Sequence, residues 1–183
     1  MSYPVHTVET APEAAKEFLA GATKTYGFLP NLFGVMASAP PLVKTYGAVG
    51  QLFNETSFSP TERQVVLLSV SAENECGYCV AAHSVIASMQ GVRSEVIEAL
   101  RQGAPLPDRK LEALRQFTTA VVVKRGHPSR DDIAAFLNVG YTEANILEVV
   151  LGVGLKTISN YTNHIAATPL DPAFASAKWA KSF

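Results

Sequence analysis

The residues able to do chemistry in this chain gather in one short stretch, Glu73 to Ser84, which carries Cys76, Cys79 and His83. On a helix, positions three, four and seven apart share a face, so these three side chains form a single stripe. Two thiols one turn apart can close into a disulfide and open again. A free thiol with a pKa of about 8.5 is only a few per cent thiolate at neutral pH, and the thiolate is the nucleophile. Two sources of activation are at hand: the unpaired N–H groups of a first helical turn, and His83, one turn beyond Cys79, which can take or share its proton. Lowering the pKa by about two units raises the thiolate fraction at pH 7 from roughly 3% to roughly 75%.

Blander readings compete. Buried cysteine often serves as a small apolar core residue. Two cysteines and a histidine are also acceptable zinc ligands, with His164 as a distant fourth. Haem attachment needs histidine directly after the second cysteine, and Val80 stands there. These are the chain's two cysteines, and a disulfide between them would close almost no loop. It would constrain the unfolded chain very little, which favours reversible chemistry over a structural staple. No cofactor or metal is called for.

Helices must position this stripe, because helix punctuation recurs along the chain while hairpin signals are missing. The expectation is an all-α domain. Thr10 and Glu13 make a capping-box pattern around Pro12, opening a helix that Gly27 ends. The stretch 28–41, interrupted by Pro30, Pro40 and Pro41, reads as a broken connector with a short helix over 31–38, followed by a helix over 42–54. Ser59, Pro60 and Glu62 combine an N-cap, a first-turn proline and a capping-box acid for a buried helix, 61–73. Asn74 is the expected cap of the cysteine helix, 75–90. Further helices are expected over 94–102, 108–125, 130–138 and 143–166. In the last of these, Gly152 and Gly154 would permit close approach of another helix. In the tail, Phe174 and Trp179 look exposed, suited to a neighbouring subunit or to folding back on their own core. His6 and His127 read as surface residues, with Lys124, Arg125 and His127 complementing a helix C-terminus.

Composition bounds the function. With 183 residues, 48% of them hydrophobic, the chain can close one core, read as a single domain with its centre over about 28–171 and a tail over 172–183. The formal charge of −1 leaves no basic surplus for nucleic acid or an anionic membrane. The apolar stretches 65–70 and 146–155 are too short to cross a bilayer, which takes about 20 residues. Residues 1–10 lack the basic-then-apolar pattern of a secretory signal, so a cytoplasmic location is expected.

The stretch Ser59 to Ser71, then Asn74 and Cys76-Gly-Tyr-Cys79-Val-Ala-Ala-His83, then the helix openings at Gly91 and Gly140, resembles the carboxymuconolactone decarboxylase superfamily, in its alkylhydroperoxidase D-like branch. Segments beginning at Phe28 and at Asn160 look like peroxidase-related members. The resemblance implies an AhpD-like helical bundle that assembles as a homo-oligomer, a trimer or a hexamer, with the dithiol in a pocket near subunit contacts. It also implies a peroxidase cycle. One thiolate attacks a hydroperoxide and becomes a sulfenic acid, the other cysteine condenses with it, and a dithiol reductant or partner redox protein reopens the disulfide. Cys79, nearer His83, is the expected peroxidatic residue and Cys76 the resolving one. Where related enzymes carry a glutamate as the distal base of a proton relay, this chain has Gln64, which can orient His83 but cannot receive its proton. A relay would have to end elsewhere, at Glu73 or in solvent. Tyr78 stands where some members have histidine. Asn160, Asn163 and His164 either approach the dithiol or form a polar helix end. Two other functions stay open: lactone decarboxylation, which needs no dithiol, and a non-catalytic redox sensor.

Overall fold

The computed structural model describes residues 3–181. Among these there are nine α-helices and no strand: α1 Glu13–Tyr26, α2 Asn31–Met36, α3 Pro40–Asn54, α4 Pro60–Glu73, α5 Gly77–Met89, α6 Ser94–Gln102, α7 Arg109–Val123, α8 Arg130–Leu137 and α9 Glu143–Ala166, with a 3-10 turn, Pro172–Ala177, behind them. No helix is long and apolar enough to cross a membrane.

The buried helix is α4. Eight consecutive residues, Gln64 to Ser71, are shielded from solvent, so the helix has no exposed face over two turns, as a central helix requires. It packs against α5, α6, α7 and α9. Its start follows the sequence: the Ser59 hydroxyl accepts from the Glu62 N–H at 3.2 Å, and the Glu62 carboxylate accepts from the Ser59 N–H at 2.8 Å. Around α4 lies the main apolar core, in which Phe136 stacks between Phe117 and Tyr141, with ring centroids 4.4 Å apart on each side. A second core joins α1, α2 and α3 around Leu19, Met36 and Val43. Similar side-chain caps start α7 at Asp108, α8 at Ser129 and α9 at Thr142.

Several boundaries differ from expectation. α1 has Pro12 as its N-cap and no side-chain cap; the Thr10 hydroxyl is turned back to accept from the Thr7 N–H at 2.9 Å, so the Thr10/Glu13 box does not form. α3 starts at Pro40, because a first-turn proline needs no N–H donor. Of the two glycines in α9, only Gly152 marks a close approach. A Cβ there would stand 2.6 Å from Val66 and 2.8 Å from Phe53, whereas nothing lies within 4 Å of one on Gly154.

The tail folds back on its own chain. Phe174 is buried against Phe28 and Tyr78, and the Trp179 indole N–H donates to the Arg101 carbonyl at 2.8 Å. Arg101 in turn donates to the carbonyls of Ala177 and Lys178.

Candidate functional site

The turn between α4 and α5 sets the dithiol, and it is not the turn the sequence suggested. Asn74 closes α4 instead of opening α5; its side-chain amide donates to Asn160 Oδ1 at 2.9 Å. Glu75 adopts the left-handed conformation, φ 56°, and the Cys76 N–H donates to the Ser71 carbonyl at 2.9 Å. The chain reverses so tightly that Cys76 itself is the N-cap of α5. Cys79 therefore falls in the first turn, where unpaired N–H groups and the helix dipole favour a thiolate.

One face of α9 supplies the opposite wall. Lys156, Ser159, Asn160 and Asn163 repeat at helical spacing and are all buried. Asn163 Nδ2 donates to Cys79 Sγ at 3.2 Å and lies 3.7 Å from Cys76 Sγ. Ser159 Oγ is 3.8 Å from Cys79 Sγ. Both cysteines are free thiols. Burial pushes the Cys79 thiol up, but the hydrogen bond from Cys76, the Lys156 charge, Ser159 and Asn160 together outweigh it and hold Cys79 well below the ordinary thiol range. Cys76 is pushed strongly up, first by holding the proton of that shared hydrogen bond and then by burial.

His83 stands one turn beyond Cys79. Its Nδ1 lies 3.1 Å from Gln64 Oε1, and Gln64 Nε2 donates to Gln90 Oε1 at 3.0 Å. With the amide so oriented, Nδ1 carries the proton toward Gln64 and Nε2 keeps a lone pair. Burial and then the Lys156 charge hold the imidazole well below its ordinary value of 6.5. It is neutral at physiological pH.

These groups share a cavity of about 650 Å³. Cys79, His83, Gln64 and Lys156 form its reactive end, and aromatic rings, Phe18, Tyr26, Phe33 and Tyr46 among them, form its walls. Cys76 does not line it.

The structure thus brings Cys76, Cys79, His83, Gln64 and Asn163 together. Tyr78 is close by in another role: its hydroxyl donates to the Asp171 carboxylate and accepts from the Leu32 N–H at 3.3 Å, tying α5 to α2 and to the tail. Glu73 is not at the site. It lines a separate cavity beside Arg101 and Lys181, so it cannot end a relay from His83. Nor is His164 part of it; that residue is exposed, as follows when its neighbour Asn163 faces inward and the next side chain is turned about 100° around the helix. A zinc site completed by His164 is excluded on this geometry, and among the described residues no cluster of His, Cys, Asp or Glu is arranged to hold a metal ion. Both cysteines are buried, and of the two only Cys79 lines the cavity.

Sequence reading missed Lys156 and Ser159. The available signal was a lysine following the apolar run 146–155 and spaced one and two turns ahead of Asn160 and Asn163.

Comparison with solved structures places this architecture. The alkylhydroperoxidase AhpD core of an uncharacterized peroxidase-related protein from Ralstonia eutropha JMP134 superposes with a TM-score of 0.83 at 21% identity, covering 94% of this chain and 93% of that one. An uncharacterized peroxidase-related protein from Silicibacter sp. TM1040 gives 0.77 at 18% identity, over 89% and 87%. The debrominase Bmp8, in a cysteine-to-alanine form with 2,3,4-tribromopyrrole, gives 0.79 at 18%, over 97% and 95%. No curated protein matches significantly. The fold is AhpD-like, with a CxxC dithiol at its centre. Residues 40–120, which include the motif, match the model of the carboxymuconolactone decarboxylase family.

Proposed function

We propose that this protein is a thiol-dependent peroxidase of the alkylhydroperoxidase kind, reducing organic hydroperoxides through a Cys79/Cys76 dithiol cycle. The observation that carries this reading is the division of labour between the sulfurs. Cys79 lines the aromatic cavity with its thiol held well below the ordinary range, while Cys76, whose thiol is pushed up, does not line it. A cavity of this size fits a drug-sized organic molecule, and its walls favour an apolar substituent over hydrogen peroxide. Cys79 attacks the O–O bond, Cys76 condenses with the resulting sulfenic acid to expel water, and an external dithiol resets the pair. Lactone decarboxylation leaves the dithiol without a use, and a sensor has no need of an aromatic cavity.

A second reading is favoured by the fold shared with Bmp8 and by the ring-lined walls. In it, the same dithiol reduces a carbon–halogen bond, giving the C–H product, halide, a proton and the disulfide. One experiment separates the two. Cumene hydroperoxide and a brominated pyrrole are each supplied with dithiothreitol, following peroxide loss in one case and bromide release in the other. The expected result is peroxide consumption by wild type that is lost in Cys79→Ser and Cys76→Ser. Consumption by both variants at the wild-type rate would rule out the peroxidase, and bromide release without peroxide loss would select the second reading.

A further inference from the structure

Lys156 stands among apolar and aromatic groups with no carboxylate to answer it. It is 1% exposed, and none of the ion pairs among the described residues includes it. It lines the reactive end of the cavity with Cys79 and His83, and no other lysine or arginine, and no aspartate or glutamate, lines that cavity. The titratable groups around it are Cys76, Tyr78, Cys79 and His83 of α5, Tyr46 of α3 and Tyr26 of α1. Ser159 and Asn163, on its own face of α9, stand against the dithiol. A buried ammonium is tolerated only when paired, and the one available anion is the Cys79 sulfur. Its own pKa agrees: burial works against the charge, and Cys79 first, then Tyr46 and Cys76, more than restore it.

We infer that Lys156 is a catalytic residue of this site: its ammonium holds Cys79 as the thiolate and then hands its proton to the oxygen that leaves. The inference rests on the peroxidase reading for its second half. The Cys79 sulfur attacks the terminal oxygen of ROOH, an S–O bond forms, the O–O bond breaks, and RO⁻ departs with the electron pair. Lys156 gives RO⁻ a proton, leaving ROH, Cys79 sulfenic acid and a neutral amine. The Cys76 thiol then attacks the sulfenic sulfur, its proton leaving with the hydroxide as water. When an external dithiol reduces the disulfide, both cysteines return as thiols, and Cys79 passes its proton back to the amine. The buried pair is neutral overall at every stage, so no lone charge is stranded when the thiolate is consumed. His83 cannot donate here, because Nδ1 is committed to Gln64 and Nε2 carries no proton.

The test uses Lys156→Met, close in shape and uncharged, with Lys156→Arg as the conservative rescue. Thiolate content is followed by absorbance at about 240 nm and by monobromobimane labelling across pH, neither of which depends on turnover. Lys156→Met is expected to slow labelling of Cys79 at pH 7 by roughly tenfold or more, with Lys156→Arg restoring it; an unchanged thiol titration overturns the inference. In single-turnover reactions the loss in Lys156→Met should be larger for cumene hydroperoxide than for perbenzoic acid, whose carboxylate leaves without help. Equal losses overturn proton donation. Wild type supplies a check that needs no variant: oxidation by one equivalent of cumene hydroperoxide in weak buffer should take up no net proton, and uptake of one proton per disulfide overturns the scheme. If wild type reduces no peroxide but Lys156→Met still shifts the thiol titration, the peroxidase reading fails and the thiolate-holding role stands.

Discussion

His83 meets Gln64 across 3.1 Å, Nδ1 to Oε1, and behind that amide stands another amide, Gln90, instead of an acid. An amide chain can orient an imidazole but cannot store its proton. The basic half of the site is therefore pre-set, with the charge separation carried by Cys79 and Lys156.

Gln64→Glu converts this chain into one that can accept a proton. The carboxylate should draw the His83 imidazole back toward its ordinary titration range, and peroxide reduction near neutral pH should rise. NMR of the imidazole C–H resonances across pH reads the first, and initial rates read the second. An imidazole that still fails to titrate would show that Gln64 does not govern its protonation.

Asn163→Asp places a carboxylate where an amide now donates to Cys79. Like charge disfavours the thiolate, so alkylation of Cys79 at pH 7 should slow by about tenfold. Labelling that proceeds at the wild-type rate would mean the Asn163 amide contributes nothing to sulfur charge.

His83 also links stability to pH. Folded, its pKa is depressed; unfolded, it returns to 6.5. Below that value the unfolded chain binds the extra proton, so this group's contribution is complete above about pH 6.5 and is lost as the pH falls, by up to about 1.4 kcal/mol per unit. Urea midpoints taken downward from pH 7 should fall more steeply for wild type than for His83→Gln. Parallel slopes would contradict a neutral buried imidazole.

Gly152 and Gly154 should respond in opposite directions to alanine. At Gly152 the new methyl meets Phe53 and Val66 inside van der Waals distance, for a loss of about 1–3 kcal/mol. At Gly154 the space is open and the helix gains up to about 1 kcal/mol of propensity. Denaturant midpoints of the two variants settle the matter, and a destabilised Gly154→Ala would mean that its face is not free.

What could be read in the sequence was local. Ser59 and Glu62, or Gly27 after α1, reveal themselves because cap and stop chemistry involves neighbours along the chain. The Cys76, Cys79, His83 stripe is of the same kind. The turn before α5 is not legible locally, because Asn74 has the better capping side chain, and only the long-range bond to Asn160 and the left-handed Glu75 explain why Cys76 takes that position. Lys156 escaped for a related reason. Lysine reads as a surface residue unless its partner is known, and here the partner lies more than seventy residues away on α5. Glu73 and His164 were drawn in by chain proximity, which says little about which way a helical side chain faces.

The carbonyl of Trp179 lies where a Cβ on Gly77 would have to go, 2.8 Å away. The first residue between the cysteines and the docking of the tail are therefore a matched set. A chimera that imports a bulkier motif from a relative into this scaffold must import that relative's C-terminal segment with it, or the graft will lift the tail away from the start of α5.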